Sequence, residues 1–221
     1  NSIGIDISEF NCLISKAKVD NYDIDELRDC LNESFLDTKC FSEEKFMEEI
    51  EEHKKLRKEI SEFNKTHFPG NDYKFKVNNK EIEEVNYSKD KMEFFFEKNR
   101  SLIKKMKSNK LALPENNSWG FLDLWLSNII KQEAKHYLKL IDNVSNDKIK
   151  QIMRIVLSRT VRSCRATTHS NLATLRKPQY IPYYCTKHFK ICSPVDSMIS
   201  HLKKNTFDTI KRIEEFAKLR K

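Results

Sequence analysis

Glycine and proline are scarce in this chain: three and five among 221 residues. A barrel or a sandwich needs turn residues every few positions, so that scarcity excludes both and favours long helices. No apolar run approaches the roughly 18 residues that cross a bilayer, and no signal peptide is visible; a cytoplasmic protein without membrane contact is expected. There is no initiator methionine. The six cysteines, at 12, 30, 40, 164, 185 and 192, are even in number. In a charged chain without a secretory signal they read as free thiols.

What the chain does have is charge. A third of its residues are charged and mean hydropathy is −0.69, while 38% apolar content suffices for one fair-sized core or two modest ones. The net charge of +8 is unevenly placed. Residues 1–110 carry 21 Lys and Arg against 24 Asp and Glu, a net of −3; residues 111–221 carry 20 against 9, a net of +11. A basic half of that strength fits a polyanion partner, nucleic acid above all; the plain alternative is a solubilising surface.

The expected fold is mainly α. Residues 1–7 read as a buried strand ending at Asp6, followed by a helix. A strand that apolar needs neighbours on both sides, and the rest of the chain offers almost none. Asp23 or Asp25 caps a short helix. Ser42, with acids behind it, opens a helix over 42–67 whose narrow stripe, continued to Phe68, holds Phe46, Ile50, His53, Leu56, Ile60 and Phe63. His53 reads as a packing residue. Residues 88–110 supply its partner in a long antiparallel arm, and the alternating YKFKV suggests a small hairpin between them. A strongly apolar helix is expected over 118–141, another behind Ser145 or Asn146, and a final one from Ser193 with a break near Asn205. Three segments follow: 1–20, the strand and helix; 21–112, the partly acidic arm; 113–221, the basic helical domain.

Two clusters carry candidate chemistry. Arg159, Arg162 and Arg165 recur every third residue, within an arc of about 120° on one helix face. Three such neighbours repel each other, a cost that phosphates offset through bidentate contacts. The competing reading pairs them with the acidic arm, although only four acids follow residue 147. In YYCTKHFKIC, Cys185, His188 and Cys192 offer three donors for zinc, with Cys164 or His169 as a fourth. Alternatively the cysteines are small buried apolar residues and His188 belongs to an exposed basic turn. A catalytic Cys–His pair lacks a nearby acid or amide to orient it.

Three strings also carry a resemblance. GIDISEFNCLISKAKV resembles the second cofactor motif of bacterial DNA (amino) methyltransferases, a Gly-(Ile/Cys)-(Asp/Glu)-(Ile/Leu) strand followed by a helix. LSRTVRSCRATTH and the stretch from YYCTKHFKICSP to DTIKRIEEFAKLR resemble a helical insert found in one branch of that family. The resemblance implies a fragment: a remnant of the Rossmann-like core plus the inserted domain. A glycine-rich loop binding S-adenosylmethionine would precede it, and a catalytic Pro-Pro-aromatic loop would follow. Asp6 would bond the cofactor's ribose, and the piece alone would be inactive. In a restriction–modification enzyme the insert would grip double-stranded DNA. The basic residues Arg159, Arg162, Arg165, Lys187, Lys190, Lys211 and Arg212 would contact it, with the arm over 42–107 turned away or packed on the remaining core. The alternative is a helical interaction or dimerisation module without a catalytic role. Target base and oligomeric state stay open.

Overall fold

The computed structural model describes residues 8–110, 120–171 and 174–219. Among them lie ten α-helices: α1 (Glu9–Val19), α2 (Ile24–Lys45), α3 (Met47–His67), α4 (Gly70–Asn78), α5 (Glu84–Lys98), α6 (Arg100–Lys110), α7 (Phe121–Trp125), α8 (Asn128–Asn143), α9 (Asp147–Ser163) and α10 (Ile199–Leu219). Two short strands, β1 (Tyr183–Cys185) and β2 (Lys190–Cys192), pair antiparallel. The mainly helical architecture follows from the scarcity of helix breakers. No helix among the described residues is long and apolar enough to cross a membrane. The expected strand over 1–7, with Asp6, lies outside the described residues, as do the first two positions of the helix expected over 118–141; the helix after the strand is α1.

The chain forms two units. The first comprises Asn1–Lys45, Gln132–Cys164 and Ser197–Lys221; the second comprises Phe46–Lys131 and Arg165–Asp196. The segments 21–112 and 113–221 read from the sequence each contribute to both.

In the first unit α10 packs on α2 and α9, and α1 packs on α9. Buried Ile149, Ile152, Met153, Val156 and Thr160 recur three and four residues apart along α9, which puts them on one face. Asn146 caps this helix, as expected, by accepting from the Lys148 amide. Asp23 likewise accepts from the amides of Asp25 and Glu26. The helix it starts is not short, however: α2 runs to Lys45. Ser42 is buried within α2 and opens nothing, because its hydroxyl donates to the Glu133 carboxylate at 2.6 Å. Glu133 is fully buried and also accepts from the Ser197 hydroxyl at 2.6 Å and the Met198 amide at 2.7 Å, just ahead of α10. A carboxylate there complements the positive end of the helix dipole. No break occurs near Asn205. Its amide donates to Thr160 of α9 at 3.0 Å, so the side chain no longer competes with its own backbone and α10 continues.

In the second unit α3 lies antiparallel to α5 and α6, as the stripes anticipated. Phe63 meets Phe95 with ring centroids 5.1 Å apart, Glu59 meets Lys98 at 3.2 Å and Glu52 meets Lys105 at 2.6 Å, so numbers fall along one arm as they rise along the other. Leu56, Ile60, Phe63, Phe68, Tyr73 and Phe95 form the core. The YKFKV stretch is not a hairpin but α4. Its four-residue spacing places Tyr73 and Val77 together on that core and leaves Phe75 exposed. The expected helix over 118–141 is interrupted: Leu126 is extended, and the Ser127 hydroxyl accepts from the Ile130 amide to restart the chain as α8.

Candidate metal cluster and basic groove

The β-hairpin begins from its register. Tyr184 and Ile191 face each other in the register, and the Ile191 N–H and C=O both bond outside the hairpin, as in a pair without mutual hydrogen bonds. The Asn64 side-chain amide of α3 satisfies both, each at 2.9 Å. Ile191 itself is buried in the core. The hairpin is thereby fastened to α3 by apolar contact on one side and by an amide that mimics a neighbouring strand on the other.

Residues 186–189 turn the hairpin. The His188 amide donates to the Cys185 carbonyl at 3.1 Å, and Phe189 sits at φ +52°, a left-handed conformation rare for a non-glycine residue. The turn brings the His188 ring to within 4.4 Å of the His169 ring, centroid to centroid. His169 opens a short 3-10 turn, His169–Asn171. Tyr183 holds it there: the phenol oxygen accepts from the His169 amide at 3.0 Å and lies 2.9 Å from Nδ1 of the ring. The ligand atoms of His169, Cys185, His188 and Cys192 all lie within 4.8 Å of one another. Cys185 Sγ is 3.6 Å from His169 Nδ1, and Cys192 Sγ is 3.5 Å from His188 Nδ1.

Of the two candidates for a fourth donor, His169 joins the cluster. Cys164 instead ends α9 in the first unit, where its backbone amide donates to Thr160 and Val161. Burial, then the neighbouring Cys185, pushes the Cys192 thiol up to about 12. Burial and then the charges of His188, Lys187 and Lys190 lower His169, favouring its neutral, ligand-ready imidazole.

Beside this cluster runs a groove of about 890 Å³ between α3, the start of α4 and the hairpin. Arg57, Lys65, Lys74, Lys187 and Lys190 line it, and no acidic residue does. Arg57 pairs with Asp196, which also lies 3.6 Å from the buried His53. Lys74 rests over the Phe189 ring, 5.7 Å from its centroid. Lys187 and Lys190 are exposed. Three of these five cations come from the segment read as acidic. A net charge summed over a long helix hides which residues share a face, and a lining drawn from four places in the chain has no linear signature.

The remaining candidates fall elsewhere. Arg159, Arg162, Lys211 and Arg212 belong to the first unit, Arg165 to the second. Arg159 donates to Asp208 at 2.6 Å and to the Thr209 hydroxyl at 3.1 Å; Arg212 donates to the same carboxylate at 2.9 Å. The partner of Arg159 is therefore a residue of α10, not the acidic arm. Hydrogen bonds from Arg159 and then Arg212 lower the Asp208 pKa. Lys211 lies 3.8 Å from Glu215, and Arg162 is exposed at the end of α9.

No protein-family model matches the chain, and no solved structure does. The chain is similar to a type II methyltransferase, M.MjaII, of Methanocaldococcus jannaschii: 44% of positions are identical over 222 residues, covering all of this chain. It spans 41% of the length of that curated relative.

Proposed function

We propose that this chain is the DNA-contacting helical part of an S-adenosylmethionine-dependent methyltransferase that modifies adenine N6 or cytosine N4 in double-stranded DNA. The basic groove carries the reading: five cations and no acid line it, on an α3–hairpin scaffold fastened by Asn64. The extended similarity to a methyltransferase supports it. An enzyme that works on a base within a duplex must draw that base out of the stack, and it needs a grip on the backbone while doing so. Lysines and an arginine along a groove supply that grip by displacing condensed counterions. Arg159, Arg162, Arg165, Lys211 and Arg212 form a second proposed set of contacts. Asp6 would bond the ribose of S-adenosylmethionine, which supplies the methyl group when bound, and the remaining methyltransferase core is the proposed partner.

Duplex affinity measured against salt concentration tests the assignment. Each lost phosphate contact lowers the steepness of log affinity against log salt by about 0.9. Lys187→Ala with Lys190→Ala should therefore flatten the slope by about 1.8. An unchanged affinity and slope would remove the groove from the DNA interface. Lys211→Ala with Arg212→Ala, tested alongside, reports on the second set.

A further inference from the structure

We propose that His169, Cys185, His188 and Cys192 bind one structural Zn2+ ion that locks the β-hairpin to the 169–171 turn. Four donors of the types zinc prefers converge within 4.8 Å, all in the second unit. With Zn–S near 2.3 Å and Zn–N near 2.0 Å, a tetrahedral site has sulfur–nitrogen edges of about 3.5 Å. The two sulfur–nitrogen separations seen here are 3.6 and 3.5 Å. Two thiolates neutralise a divalent ion, so the occupied site carries no net charge beside the lysines of the hairpin. Each cysteine gives its thiol proton to solvent as its Zn–S bond forms, and both histidines bind as neutral imidazoles.

The backbone is arranged for this ligand set. Phe189 holds a left-handed conformation and the Cys185–His188 turn is closed by a hydrogen bond, which together fold His188 back over His169. Tyr183 holds the 169–171 turn beside the hairpin by accepting from the His169 backbone amide at 3.0 Å. Four protein donors leave no open coordination position, which marks the ion as structural rather than catalytic. Cys2His2 chemistry selects zinc over magnesium or calcium, which take oxygen ligands. The ion would also fix Lys187 and Lys190, which flank His188 and sit on the groove. The metal site itself does not depend on the DNA reading.

The test uses the full-length protein, purified anaerobically without chelator from zinc-supplemented cells. Elemental analysis of wild type is compared with Cys185→Ser, Cys192→Ser and Cys164→Ser. Each hairpin variant should lose about one zinc per chain, while Cys164→Ser keeps it. Replacing zinc by Co2+ should give the visible bands of a tetrahedral site with sulfur-to-cobalt charge transfer, absent from Cys185→Ser. Should a hairpin variant fail to fold, the wild type decides alone. A zinc-free wild type that gives no cobalt spectrum overturns the site, as does a Cys185–Cys192 disulfide in freshly isolated protein.

Discussion

The buried carboxylate of Glu133 gives the sharpest test of how the first unit holds together. It accepts from Ser42, Ser197 and the Met198 amide, joining α2 to the start of α10. Glu133→Ala deletes the acceptor of all three bonds. The two hydroxyls can rotate toward other acceptors, but the buried Met198 amide cannot. Losing three charge-assisted bonds and stranding one donor should cost about 3–5 kcal/mol. Glu133→Gln is a graded control. With its oxygen toward Met198 and its amine toward the serines, whose hydroxyls then accept and turn their protons elsewhere, the buried Met198 amide keeps its partner. The loss falls to that of charge assistance, about 1–2 kcal/mol. Urea titration followed by far-UV circular dichroism measures both, and hydrogen exchange of the Met198 amide localises the effect. A midpoint for Glu133→Ala within about 0.5 kcal/mol of wild type would refute the assignment of Glu133 as the anchor of α10.

Asn64→Ala leaves the Ile191 N–H and C=O without their partner and should destabilise the second unit by about 2–4 kcal/mol, read by urea titration. Phe95→Ala, at a fully buried ring packed edge-on against Phe63, should cost about 3–5 kcal/mol in the same assay. The pKa of Asp208 is lowered in the folded chain, so its contribution to stability is present above the ordinary carboxylate pKa and is lost as pH falls through the folded value. Acid titration of Arg159→Ala should show a weaker loss over that window; an identical acid limb would refute the coupling.

Several features were legible because they are local. The antiparallel arm could be read from two stripes of matching period, α9 from its Asn146 cap, and the exposed lysine-rich turn from YYCTKHFKIC. The misread boundaries share one cause. Ser42 looks like a cap until Glu133 takes its hydroxyl. Asn205 looks like a break until Thr160 accepts its amide. YKFKV alternates as a strand would, yet Tyr73 and Val77 also satisfy a helical face, and the aromatic core selects that solution. Side-chain hydrogen bonds offer the backbone alternatives, and a distant partner decides which is taken.

The candidate site divides in the same way. Cys185, His188 and Cys192 stand close enough in sequence to be noticed as donors, but two residues competed for the fourth place. His169, rather than Cys164, lies with the other three because Tyr183 fastens the 3-10 turn beside the hairpin. The groove was beyond linear reading, since Arg57, Lys65 and Lys74 meet Lys187 and Lys190 only after α3 and the hairpin dock.

The order of residues by itself determined that this chain is helical, rich in charge and basic in its second half, because those properties arise from composition and from neighbours within a turn or two. The fourth member of the Cys/His cluster, the partner of each buried polar group and the gathering of five cations were decided only by tertiary structure. Each depends on residues brought together from 16 to more than a hundred positions apart, and no interaction between near neighbours in the chain encodes such a distance.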